Sequence, residues 1–124
     1  MTQKLPLDWS CGELAEGLRC YRAELFFLAH EHWESVWLRS PEPEKAFLQS
    51  LIQTAAAFHH LQTQNNIGAA SLLQSALRRL EPLPPSFGGI AVAPLRDEIR
   101  AWLQALSGQS APPHLPFPEI QNNI

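Results

Sequence analysis

Apolar residues recur every three or four positions along most of this chain, which is the period of an α-helix. No stretch of useful length alternates between apolar and polar residues as a strand does. The pattern predicts five helices, at about residues 13–22, 23–38, 43–64 and 67–81, and from residue 94 until Gly108 ends the last one. No Gly or Pro separates the first two helices, so they can be continuous.

Short links join the second, third and fourth predicted helices, which makes them antiparallel neighbours. Pro41 and Pro43 end one helix and begin the next, and Asn65-Asn66 ends the third and caps the fourth. The predicted fold class is therefore all-α, a compact bundle of about five helices with an antiparallel core. We expect these side chains to be buried in it: Trp33, Trp37, Leu51, Ile52, Leu73, Leu77 and Trp102.

The length of 124 residues predicts one domain, over residues 1–110. A C-terminal tail follows at residues 111–124, and its four prolines exclude a regular element there. Cys11 and Cys20 are too few for a disulfide framework, so free thiols are expected. No secretory signal or long apolar run is visible, and we expect a cytoplasmic protein.

Charged residues make up 17% of the chain, against a typical value of about 25%. This low fraction, together with the tryptophan content, predicts an apolar patch that is covered in a homodimer. The net charge is −3, and no basic cluster is larger than Arg78-Arg79. These values argue against binding to nucleic acid or to an anionic membrane, since both need a basic face.

The candidate site is the set His30, Glu34 and Trp37, whose offsets of zero, four and seven share one helix face. Phe26, Phe27 and Trp33 are counted on the same face, so we expect it to point inward. Buried polar groups need partners. Counting residues from the two turns places Gln53 level with His30, Gln49 level with Glu34, and Arg78 and Arg79 level with Gln53. A buried polar layer is predicted.

Two interpretations of this layer stay open. It can be a structural hydrogen-bond layer, or it can bind a divalent metal with His30 and Glu34 as ligands at a suitable spacing. The zinc-protease motif His-Glu-x-x-His is absent because residue 34 is Glu, and the Glu-x-x-His pairs of di-iron bundles are absent too. His59 and His60 should lie about 10 Å along the axis from His30, so they are left out of the site.

The pattern His30-x-x-x-Glu34-x-x-Trp37 resembles that of the Domain of Unknown Function 309 family of small bacterial and archaeal proteins. Further similar segments are residues 47–53, Asn65-x-x-Gly68-Ala69 and Gly89-Ile90. The resemblance covers about residues 13–106 and departs at Ser50, where the family pattern has Gly. It implies a compact helical fold and a motif suggested to bind metal, with no established activity.

Two classes of function follow. The first is a small metal-binding protein, with metal-dependent hydrolysis as its activity, in which His30 and Glu34 are ligands and Gln53 supports them. The second is a non-enzymatic helical module whose exposed face binds a protein partner. The second is preferred, because two ligands do not make a metal site. Whether the protein is an enzyme, and on what substrate, is left open.

Overall fold

The computed structural model describes residues 7–107 and 115–122. Five helices carry the fold, which confirms the all-α class: α1 (Gly12–Arg22), α2 (Phe26–Trp37), α3 (Glu44–Gln62), α4 (Asn66–Leu80) and α5 (Val92–Leu106). A short hairpin of β1 (Ser86–Phe87) and β2 (Ile90–Ala91) precedes α5, which the sequence pattern did not predict. Gly88 and Gly89 make its turn, both with positive φ, a conformation that glycine adopts without steric cost.

Each helix packs against the next one in the chain, and α3 lies between α2 and α4. Every residue from 44 to 61 of α3 is buried or half-buried. Of the predicted core residues, Trp33, Leu51, Ile52, Leu73 and Trp102 are buried. Trp37 and Leu77 were expected to be buried but are only half-buried, at the edge of the core.

The first two helices are separate, which settles whether they are continuous, a question that the sequence left open. The chain turns at Glu24, which adopts a left-handed φ of 62°. The backbone N–H of Leu25 donates to the carbonyl of Cys20, and that of Glu24 donates to Tyr21. This is a Schellman ending, which usually has glycine at the left-handed residue. A glutamate there gives no signal in the sequence, so the turn at residues 23–25 was not predicted. The same motif ends α3, with Gln64 at a φ of 63°.

Residues 115–122 have no regular helix or strand, as predicted for the tail, but they pack against the helices. The Tyr21 hydroxyl donates to the Pro118 carbonyl at 2.6 Å, and the Trp102 indole N–H donates to the Pro116 carbonyl at 2.9 Å. Ile120 is buried. Gly108, residues 111–114 and residues 123–124 lie outside the described residues, and the division of the chain at residue 110 stays a prediction.

Gly17 allows the closest approach between α1 and α2. A Cβ at this position would overlap the indole ring of Trp33, which is fully buried and donates to the Leu14 carbonyl at 3.2 Å. An alanine in a helix is normally better than glycine by about 1 kcal/mol. We predict that Gly17→Ala instead destabilises the chain by about 1–3 kcal/mol in urea unfolding, because a well-packed site is overfilled. The loss should disappear in a Trp33→Leu background, and a stabilised Gly17→Ala variant would contradict the packing.

Tyr21 is the single tyrosine of the chain, so its titration can be followed by absorbance alone. Burial raises its pKa well above the usual value, and the negative charge of Glu98 adds to the shift. In the folded chain, tyrosinate absorbance should therefore appear only well above pH 10, whereas the urea-unfolded chain should titrate near its ordinary pKa of about 10.

Because the folded pKa is the higher one, the phenol stabilises the fold fully below the unfolded pKa, and this stabilisation is lost as the pH rises through the folded pKa. Tyr21→Phe should remove this part of the alkaline loss of stability. Titration of folded Tyr21 at its ordinary pKa would contradict the burial.

Candidate functional site

The motif residues form one stripe along α2, made by Phe27, His30, Glu34 and Trp37 and called here the motif stripe. The buried face of α2 is a different stripe, formed by Phe26, Ala29, Trp33 and Val36. At about 100° per residue, the two stripes are roughly a quarter turn apart. The motif stripe therefore lies on a flank of the helix, and the prediction that it points into the core is wrong.

Two contacts show that this flank runs beside α3. The ring centroid of Phe27 lies 5.4 Å from that of His59, and the Lys45 ammonium lies 4.5 Å from the ring centroid of Trp37. These contacts join opposite ends of two antiparallel helices. His30 and Glu34 consequently lie between them, at the level of α3 that residue counting predicted.

His30 and Glu34 pair with each other, with 3.2 Å between Nε2 and Oε2. The side chain of His30 is 27% exposed and that of Glu34 is 50% exposed, so the prediction of a mostly buried pair is wrong for Glu34. Within residues 7–107 and 115–122, the pair makes no direct hydrogen bond to Gln49 or Gln53. An exposed ion pair contributes only about 0–1 kcal/mol, so this pair does not hold the fold together.

The predicted contact between a glutamine of α3 and an arginine of α4 does form, but the His30–Glu34 pair takes no part in it. Arg79 of α4 donates from Nε to Oε1 of Gln53 at 3.3 Å. Half-buried residues line the strip of α3 that reaches the surface between α2 and α4. This strip, called here the α3 groove, is formed by Gln49, Gln53, Ala56 and His60. The motif stripe borders it on one side and Arg79 on the other.

The donor set for a metal is small. No group of three His, Cys, Asp or Glu side chains that could hold an ion exists in the described part of the chain. The Phe27 ring lies between His30 and His59, at 5.8 Å and 5.4 Å from their rings. The Nδ1 atom of His60 is 3.2 Å from the side-chain nitrogen of Asn65. A single copy thus offers His30 and Glu34 as two donors on the motif stripe.

Sequence analysis missed a second polar cluster on the opposite flank of α2. Oε2 of Glu13 is 2.7 Å from Nδ1 of His32, and the Ser35 hydroxyl donates to the same oxygen at 3.4 Å and to the His32 carbonyl at 2.7 Å. These residues are 19 and 22 positions apart, so no local spacing indicates them. The serine hydroxyl does not contact the imidazole, so the cluster lacks the base-activated geometry of a nucleophile. It links α1 to α2.

Part of this chain matches a known protein family. The model of the family described as a domain of unknown function (DUF309) matches residues 14–72. Residues 14–72 are a DUF309 domain. The matched residues include the whole motif stripe and the α3 groove, whereas the hairpin, α5 and residues 115–122 lie beyond them.

The chain is similar to an uncharacterized protein of Aquifex aeolicus (strain VF5), with 33% identity over 96 residues. The alignment covers 74% of this chain and 28% of that protein. The chain therefore spans less than a third of the length of the curated relative that it matches.

Substitutions on the motif stripe should cost little stability. Because the His30–Glu34 pair is at the surface, we predict that His30→Ala and Glu34→Ala each change the free energy of unfolding by no more than about 0.5 kcal/mol. Trp33→Ala, in the same helix but in the core, should cost about 3–5 kcal/mol. Urea unfolding of the three variants measures both. A loss of several kcal/mol in His30→Ala would show a buried layer instead.

Proposed function

We propose that this DUF309 chain is a non-enzymatic interaction module that binds a protein partner through the motif stripe and the α3 groove. The observation that carries the proposal is the exposure of the motif. Phe27 is 50% exposed and Trp37 is half-buried, so both aromatic rings of the motif stripe reach the surface. Large apolar side chains grouped at a surface are typical of protein interaction sites.

The chemistry of this face supports the same function. It combines two aromatic rings, those of Phe27 and Trp37, with Arg79 and the amide groups of Gln49 and Gln53. Aromatic residues and arginine are enriched in protein interfaces, and they dominate the binding energy there. Lys45 on Trp37 and His59 on Phe27 hold the rings in place before a partner arrives. Pre-ordered side chains lose less entropy on binding.

Metal binding is the second candidate, and the geometry of the His30–Glu34 pair is the observation in its favour. Two donors one helical turn apart form half of a metal site. Elemental analysis of protein purified without chelator or metal-affinity resin separates the candidates. Stoichiometric metal that is lost in both His30→Ala and Glu34→Ala supports the metal site, and hydrolytic activity is then worth testing. Metal-free protein that still binds its partner supports the interaction module.

Our statements about membranes, nucleic acid and location have two sources, the sequence and one structural observation. No helix within the described residues has the length and the apolarity needed to cross a membrane. The absence of nucleic-acid binding and the cytoplasmic location stay predictions, the former based on the net charge of −3 and the small basic clusters.

Site-specific photocrosslinking in the native cell tests the proposed face. A photoreactive amino acid is placed at Phe27 on the motif stripe, at Ala56 in the α3 groove, and at the exposed Glu16 of α1 as a control. We expect defined protein adducts from positions 27 and 56 and none from position 16. Glu34→Lys should abolish them, because it reverses the charge at the centre of the stripe.

A crosslinked protein supports the proposal only when that protein, once purified, also binds the purified chain. Crosslinks that form equally at all three positions, or that survive Glu34→Lys, would contradict the proposed face.

A further inference from the structure

We infer that the motif stripe binds a second copy of this chain, in an antiparallel arrangement about a twofold axis. This inference rests on the proposed function and names its partner. Its first basis is the spacing of the stripe, since Phe27, His30, Glu34 and Trp37 are separated by three, four and three residues. The spacing is the same when it is read from either end. A stripe with steps of three and four is also the seam along which two helices pack in a coiled coil.

The second basis is chemical self-complementarity. With the twofold axis near residue 32, the midpoint of the stripe, Phe27 lies opposite the partner's Trp37 and His30 lies opposite the partner's Glu34. Aromatic rings then meet aromatic rings at both ends, and an imidazole meets a carboxylate at both central positions. A parallel arrangement would instead place two Glu34 carboxylates against each other, which is unfavourable.

The pair within each copy does not block the pair between copies. Nε2 of His30 contacts one carboxylate oxygen of Glu34, which leaves Nδ1 of His30 and the second oxygen of Glu34. A neutral imidazole has a single N–H, so it is the protonated imidazole that can donate to both carboxylates at once. Half of the Glu34 side chain and half of the Phe27 residue are exposed in the single chain, so both have surface for the partner to cover. Two imidazoles and two carboxylates would alternate around the axis, and the charges at the centre balance when both imidazoles are protonated.

The third basis is the shape beside the stripe. The four residues of the α3 groove are half-buried, and α2 and α4 flank them. The partner's α2 can approach α3 there, so that the α2–α3 hairpins of two copies pack as a four-helix bundle, a common arrangement for antiparallel hairpins. The low charged fraction of the chain agrees with a covered face.

Sedimentation equilibrium of the full chain, in the presence of EDTA and over a range of micromolar concentrations, tests the inference. We expect a reversible monomer–dimer equilibrium. His30→Glu and Glu34→Lys should each raise the dimer Kd by about tenfold or more, because the first places two carboxylates together at both central contacts and the second replaces both carboxylate acceptors with ammonium groups that face the imidazoles. Phe27→Ala should also raise it, since it removes a ring at both ends.

The decisive measurement is the equimolar mixture of His30→Glu and Glu34→Lys. In the mixed dimer, the introduced carboxylate meets the introduced ammonium at one central contact and the other contact keeps the wild-type imidazole–carboxylate pair, so association should return to near the wild-type Kd. Asp97→Lys makes the same change of charge as Glu34→Lys at an exposed position of α5 and should leave the Kd within about twofold. Far-UV circular dichroism and thermal melting confirm that each variant is folded.

Three other results of the sedimentation experiment would overturn the inferred antiparallel dimer. A wild-type chain that stays monomeric excludes the second copy, and a dimer that tolerates all three stripe variants uses another surface. A mixture that does not recover excludes the antiparallel pairing. The crosslinking experiment keeps the proposed function separate. Adducts from position 27 to a different protein support the interaction module and identify another partner, whereas a position 27 that forms no adduct, either to a second copy or to another protein, contradicts both.

Discussion

The rotation of α2 about its own axis is the constraint on which the candidate site depends, and Trp33 sets it. The Trp33 ring fills the space above Gly17, donates to the Leu14 carbonyl of α1, and contacts the rings of Trp9 and Tyr21. An indole that is held by packing and by a hydrogen bond cannot turn without losing several kcal/mol. Once Trp33 points inward, Ala29 and Val36 follow it into the core, and the motif stripe lies on the flank.

This rotation decides which chemistry His30 and Glu34 can perform. In the core they would be an obligatory polar layer, since each unsatisfied buried group is costly. On the flank they are a partly exposed pair between the rings of Phe27 and Trp37, with a half-buried strip of α3 next to them. The same residues therefore change from a structural element to a recognition surface through a rotation of about a quarter turn. The DUF309 match covers α2 and α3 together, which are the two elements that this surface needs.

Positions along the helix axes were predictable from the sequence, whereas rotation about them was only partly so. The fixed rise per residue placed His30 level with Gln53 and placed Arg79 within reach of Gln53, and the Gln53–Arg79 hydrogen bond agrees with this. The predicted rotation of α2 was wrong because Phe26 and Phe27 are adjacent and Trp33 and Trp37 are one turn apart. Aromatic residues thus mark two stripes, and the one that is buried contains Ala29, whose small side chain permits close packing.

Long-range contacts account for most of what the sequence did not show. The packing of residues 115–122 depends on backbone carbonyls that accept from Tyr21 and Trp102.

Thiol labelling at low protein concentration tests the rotation of α2 most directly. In a Cys11→Ser background, a water-soluble maleimide should react rapidly with Phe27→Cys and Glu34→Cys, and slowly with Ala29→Cys and Val36→Cys. Rapid labelling at positions 29 and 36 with protection at 27 and 34 would contradict a motif stripe that faces the surface.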